Sequence, residues 1–173
     1  DHVWHDAGRG RVQARDLGHA RDEHALRIVG NAALGVELAE QLQVLLLIEP
    51  EPELMIEKFD QYLEFTARID SPWIGLNFDI GHAYCVLEDP QDWVEKMASH
   101  TRHYQFEDIA ASRVHKHLIP GHGAIDFEAT LGAIQRTGYD GWITVELYPY
   151  IDDPDGAARA AKRSARGRSL TSI

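Results

Sequence analysis

Four short strand-like runs recur along the chain, with helix-patterned stretches between them, and each run closes on an acid or an amide. The runs are Val44–Ile48, Trp73–Phe78, His103–Phe106 and Trp142–Leu147. They close on Glu49, on Asp79, on Gln105 with Glu107, and on Glu146. Short apolar runs stopped by polar residues or proline read as strands. Val44–Ile48 is apolar at every position, which predicts a strand buried on both faces. A helix over Ala33–Leu42 precedes the first strand. Residues 53–68 carry an apolar stripe through Met55, Ile56, Phe59, Tyr62 and Leu63 and predict a second helix. Asp89-Pro90 opens a helix near Gln91–His100. Asp126 caps another helix through Gln135, with Gly138 beyond its C-terminus. Strand and helix alternate without the Asn-Gly turn pairs of hairpins, so the pattern predicts a parallel α/β sheet with helices outside it.

The remaining segments read differently. Residues 1–30 hold His2, His5, His19 and His24 with many Arg and Gly, and no sustained apolar period. They are expected to form a poorly ordered or atypical N-terminal segment. Residues 154–173 are expected to form a basic helix or tail, because Arg159, Lys162, Arg163, Arg166 and Arg168 follow Asp155 with no further acid. The longest apolar run, Val44–Ile48, is far too short to span a bilayer. The polar N-terminus lacks the pattern of a signal peptide. The single cysteine, Cys85, excludes an internal disulfide and fits a reducing, cytoplasmic compartment. A net charge of −11 argues against a broad nucleic-acid surface.

In parallel α/β folds the C-terminal ends of the strands meet on one rim, where active sites lie. Glu49, Asp79, Gln105 with Glu107, and Glu146 occupy equivalent places on that rim. Carboxylates crowded together repel unless protonated or neutralised, and a divalent cation is the simplest remedy. Oxygen-rich ligation favours Mg²⁺ or Mn²⁺, and histidine admits Zn²⁺, Co²⁺ or Fe²⁺. His82 follows Asp79 by three residues, a spacing that lets both face one cavity. His115-Lys116-His117 places two histidines on one side of an extended segment, as a ligand pair, an anion clamp or a solvated loop.

Five pieces, in order, resemble the xylose-isomerase-like barrel family. They are Leu47-Ile48-Glu49-Pro50; Asn77-Phe78-Asp79-Ile80-Gly81-His82; His103-Tyr104-Gln105-Phe106-Glu107-Asp108; Pro120-Gly121-His122-Gly123-Ala124-Ile125-Asp126-Phe127; and Gly138-Tyr139-Asp140-Gly141-Trp142-Ile143-Thr144-Val145-Glu146. That family groups sugar-phosphate isomerases and epimerases with apurinic-site endonucleases. The resemblance implies a (β/α) barrel of the TIM type, of which residues 31–153 carry only the C-terminal four βα units. A full barrel needs about 250 residues. The chain is therefore expected to form a homo-oligomer or to join a missing N-terminal half-barrel.

The resemblance also implies a divalent cation (Mn, Mg, Co or Zn) held by Glu49, Asp79, Gln105 and Glu146. Gln105 stands where the family usually has histidine. Glu49 and Glu146 would be the catalytic acid/base pair, and His82 and His117 would contact substrate. The implied activity is isomerisation or epimerisation of a sugar or sugar phosphate by proton transfer α to a carbonyl, and the loose Gly-x-Gly loop at 121–123 fits it. A metal-dependent phosphodiesterase of the endonuclease type, suggested by His115 and His117, is one alternative. A non-catalytic accessory barrel with a degenerate site is the other.

Overall fold

A computed structural model describes residues 32–167 of the chain. The segment expected to be atypical, residues 1–30, lies outside the described residues. Helix α1 covers residues 32–42 and leads into β1 (Leu46–Ile48). Then follow α2 (Phe59–Ile69), β2 (Ile74–Asp79), α3 (Ile80–Cys85), α4 (Pro90–Trp93), β3 (Thr101–Phe106), α5 (Phe127–Thr137), β4 (Ile143–Val145), a 3₁₀ turn at Tyr148–Tyr150, and α6 (Pro154–Gly167).

The four strands form one parallel sheet in the order β1-β2-β3-β4. The pairings Ile48↔Leu76, Asp79↔Gln105 and Gln105↔Thr144 bring the strand ends level. Successive side chains on a strand point to opposite faces. Leu76 and Phe78 of β2 and Tyr104 and Phe106 of β3 therefore face the helices and form the core with Phe59, Tyr62, Phe127 and Ile134. Phe59 packs on Phe78 with ring centroids 4.6 Å apart, and Phe78 on Tyr104 at 5.4 Å. Burying an aromatic of this size contributes about 1.5–3 kcal/mol. The opposite face carries Leu47, Asn77, Asp79, His103, Gln105 and Thr144, and His103 Nε2 lies 2.9 Å from Thr144 Oγ1 across it.

Several elements differ from the sequence expectation. β1 is not buried on both faces: Leu45 is 44% and Leu47 39% exposed. β1 is an edge strand that pairs only with β2 among the described residues, so its inner face lacks the neighbours a closed sheet supplies. The second helix starts at Phe59 rather than near residue 53. Gln61 Oε1 accepts the amides of Glu57 and Lys58, both at 2.9 Å, and Glu88 Oε2 accepts that of Phe59 at 3.0 Å. These side-chain acceptors satisfy the orphan donors of a helix start six residues later than the apolar stripe suggests. The expected helix at 91–100 is a single turn, Pro90–Trp93, continued by irregular turns to β3. His82 lies in a helix rather than a loop, because Asp79 caps α3 by accepting the His82 amide at 2.7 Å. α5 has the expected ends, with Asp126 accepting the Ala129 amide at 3.0 Å and Gly138 closing it at φ 74°.

The long connection from β3 to α5 is tied back on one side chain. Asp108 Oδ1 accepts the amides of Ile109 and Ile125, at 2.9 and 3.1 Å. Its Oδ2 accepts those of Gly121 and Gly123, both at 2.8 Å. The Asp108 backbone also pairs in both directions with Leu118, at 2.8 and 2.7 Å. Gly123 permits the close approach, since a Cβ there would sit 2.7 Å from Asp108 Cγ. This bracket carries the His115–His117 segment across the strand ends. Asp108→Ala strands four amides at once, so it should cost about 3 kcal/mol in chemical denaturation. Asp108→Asn, which keeps one acceptor oxygen, should fall between the variant and the wild type.

Candidate metal and active site

The rim is assembled as the strand register dictates. Glu49 follows β1, Asp79 ends β2, Gln105 lies in β3, and Glu146 follows β4, where its amide donates to the Phe106 carbonyl at 3.1 Å. Glu107 falls on the Gln105 side because it lies two residues further along the same extended segment. The predicted site residues are thus brought to one end of the sheet, together with Glu107 and His115.

Asn77 and Gln105 knit the carboxylates. Asn77 Nδ2 donates to Glu49 Oε2 at 2.7 Å and also touches the Gln105 amide. Gln105 reaches between two acids. In one amide orientation its nitrogen is 3.4 Å from Glu146 Oε2. In the other it donates to both Glu49 oxygens, at 3.0 and 3.1 Å, and its nitrogen then faces the Asn77 amide nitrogen. A glutamine therefore supplies a donor as well as a carbonyl oxygen at the position where the resemblance implies histidine.

His82 Nδ1 lies 3.2 Å from the Pro50 carbonyl, 3.4 Å from Glu49 Oε1 and 3.9 Å from Asp79 Oδ1. All three neighbours are acceptors, so the ring proton belongs on Nδ1. Burial, then the charges of His115 and His117, lowers the His82 pKa to about 3 and keeps the ring neutral. His117 is buried, with Nδ1 3.2 Å from the Glu146 carbonyl and 3.9 Å from Glu146 Oε2. Its pKa is also lowered, mainly by burial. His115 Nε2 is 3.0 Å from His117 Nε2, and its ring stands edge-on to His82 with centroids 4.7 Å apart.

The carboxyl groups are under strain from one another. Glu49 is raised to about 7, first by burial and next by the charge of Asp79. Asp79 is raised by burial, and Glu107 well above the usual range by burial and then by Asp79. Asp79 Oδ2 and both Glu107 oxygens are buried, and Glu107, held in its protonated form, hydrogen-bonds to Asp79. Among the described residues, no Lys or Arg forms an ion pair with Glu49, Asp79, Glu107 or Glu146. Buried carboxyl groups without cationic partners fit either a shared proton or a bound cation, and their oxygens suit a cation in donor type. Three sets of side chains offer ligand atoms lying within 4.8 Å of one another: Glu49, Asp79 and His82; Glu107, His117 and Glu146; and His82, His115 and His117. Glu49 and Asp79 thus fall in one set and Glu146 in another.

The sequence reading places Glu107 on the rim and offers His115 as half of a ligand pair but assigns neither to the implied site, and it gives Asp108 no role. The signal for Glu107 was its two-residue offset from Gln105. The Gly-x-Gly loop behaves differently from the expectation that it favours a sugar ligand, because the Gly121 and Gly123 amides are both committed to Asp108.

The profile of a family described as xylose isomerase-like TIM barrel matches residues 5–167. An inosose dehydratase of Lacticaseibacillus casei is 37% identical over 93 residues, covering 44% of this chain and 31% of its own. L-ribulose-5-phosphate 3-epimerase UlaE of Escherichia coli O17:K52:H18 is 27% identical over 143 residues, covering 83% of this chain and 50% of its own. The crystal structure of a D-tagatose 3-epimerase-like protein superposes with a TM-score of 0.69 at 27% identity, covering 81% of this chain and 54% of that one. The chain spans about half the length of these proteins, or less. No helix among the described residues is long and apolar enough to cross a membrane.

Stability should follow the Glu49 carboxyl. Its folded pKa of about 7 lies above the ordinary 4.5, so its stabilising contribution is full below about 4.5 and lost as the pH rises to about 7. In chelator, the melting temperature of the wild type should fall relative to Glu49→Gln over that window. His82 works in the opposite sense, contributing above 6.5 and losing that contribution as the pH falls towards 3, but it is common to both proteins and cancels in the difference. Excess Mn²⁺ should reverse the difference by stabilising the wild type more than Glu49→Gln.

Proposed function

The chain belongs to the xylose isomerase-like TIM barrel family, and from that premise we propose that it contributes the C-terminal half of the active site of a divalent-cation-dependent sugar isomerase or epimerase. The observation that carries this reading is the convergence of Glu49, Asp79 and Glu146 on one rim, where no Lys or Arg among the described residues pairs with them. The reported relatives, a sugar-phosphate epimerase and an inosose dehydratase, favour it over a phosphodiesterase or an accessory barrel.

Glu49, Asp79, Gln105 and Glu146 would hold the cation. When bound, it would polarise a substrate carbonyl and acidify the neighbouring C–H. Glu49 comes from the first described strand and Glu146 from the last, so they approach a sugar lying over the sheet ends from two sides. One carboxylate removes the proton α to the carbonyl, and the other returns a proton to the opposite face for epimerisation. Gln105 lies between the two acids and donates to one or the other according to its amide orientation. His82 is neutral, with Nδ1 directed at the Pro50 carbonyl and Glu49, which leaves Nε2 to accept from a substrate hydroxyl. His117, fixed against the Glu146 carbonyl, would orient another hydroxyl.

The test uses the protein that carries this chain, loaded with Mn²⁺ in deuterated water, with ketopentoses, ketohexoses and their phosphates as substrates. Exchange of the carbon-bound proton next to the carbonyl should be detectable by NMR for at least one sugar. Glu49→Gln and Glu146→Gln should each lower turnover by about 10²–10⁴-fold with little change in KM. Full turnover by Glu146→Gln would remove the acid/base assignment. No exchange with any sugar would remove the reaction class.

A further inference from the structure

We propose that Arg113 is a positioning residue: it fastens the loop that carries His115 and His117 to the helix that carries His82, and so sets the three imidazoles in one arrangement. This rests on the reading that His82 and His117 meet the substrate, and it adds a residue which that reading leaves unused. The rings come from two separate segments. His82 lies in α3, and His115 and His117 lie in the connection from β3 to α5. They pack closely all the same, with the centroids of His115 and His117 at 4.7 and 5.6 Å from that of His82. Side chains from separate segments keep such a geometry only where their backbones are tied together.

α3 is a fixed platform. Asp79 caps its start through the His82 amide, and its first turn leaves no room for a Cβ at Gly81 against Glu107. Beyond the histidines, the loop is held by Asp108, which binds the backbone of Leu118, Gly121 and Gly123. Before them stands Arg113, two residues ahead of His115. Its guanidinium lies over the Tyr84 ring, with Cζ 3.8 Å from the centroid. Nη1 donates to the Tyr84 carbonyl in α3, and Nη2 pairs with Asp89 Oδ1 at 2.6 Å. A lone exposed ion pair would hold a loop weakly. A planar fork that stacks on a ring, donates to a carbonyl and pairs with a carboxylate is fixed in three directions at once, which a lysine ammonium cannot reproduce. The Arg113 backbone is left-handed, at φ 58°, a conformation that a residue with a Cβ keeps where its surroundings over-determine it.

The test uses the protein that carries this chain, stripped of metal with chelator and isotope-labelled at histidine, with the variants Arg113→Gln, Arg113→Lys and Asp89→Asn. The wild type should show an NOE between ring protons of His82 and His115. Arg113→Gln and Arg113→Lys should lose it, and Asp89→Asn should weaken it, while the amide spectrum of the sheet stays as in the wild type. With Mn²⁺ and the ketoses and ketose phosphates of the turnover assay, both Arg113 variants should raise KM about 10-fold and leave kcat within about 3-fold, because the histidines hold hydroxyls rather than move the reacting proton. If Arg113→Gln fails to fold by circular dichroism, Arg113→Lys and Asp89→Asn carry the same two readouts. An Arg113→Gln or Arg113→Lys protein that keeps both the NOE and the wild-type KM overturns the proposal, and so does a wild type without the NOE. A wild type that shows the NOE but turns over no sugar overturns the isomerase reading, and the loss or survival of the NOE in the variants then decides the tie by itself.

Discussion

Four carboxyl groups at the C-terminal end of one parallel sheet repel one another, and burial magnifies that repulsion. Glu49, Asp79 and Glu107 all carry pKa values displaced upward, with burial the leading cause in each case. The arrangement costs stability unless a proton or a cation offsets it, because apolar residues in place of the acids would relieve the repulsion. The parallel pairing enforces the arrangement. Once Asp79 is level with Gln105, and Gln105 with Thr144, the residues that follow each strand can only meet. The neutral histidines, the bridging amides and the tied-back loop are organised around that cluster.

The parts of this arrangement that depend on local pattern were legible in the sequence. Apolar runs closed by acids placed Glu49, Asp79 and Glu146 on the rim, and Asp126 and Gly138 marked the ends of α5 correctly. What depends on distant partners was not legible. α2 begins late because Gln61 and Glu88 supply acceptors, and no apolar period announces a glutamate 29 residues away. β1 reads as a buried strand because all its residues are apolar, yet its exposure is set by how many neighbours the sheet provides. Asp108 looks like an ordinary strand-end acid, and its four amide partners lie as far as 17 residues along the chain.

Asp79 shows how one side chain serves both structure and site. Its Oδ1 caps α3 through the His82 amide, which fixes the helical turn and the position of the imidazole. Its Oδ2 is buried, and the carboxyl also hydrogen-bonds with Glu107. The spacing of three residues between Asp79 and His82 is thus the spacing of a helix cap, and it brings the acid and the ring to the same cavity for that reason. The capping bond uses only one oxygen of the carboxylate, which leaves the other for the role proposed above.

Gly81 and Glu107 share the space between α3 and the segment that follows β3. A Cβ at position 81 would lie 2.6 Å from Glu107 Cδ, so any larger residue there requires the Glu107 side chain to swing away. The consequence is a coupling between the two positions: bulk added on α3 would be felt as a displaced carboxyl on the neighbouring strand end, and a shorter side chain at 107 would relieve it.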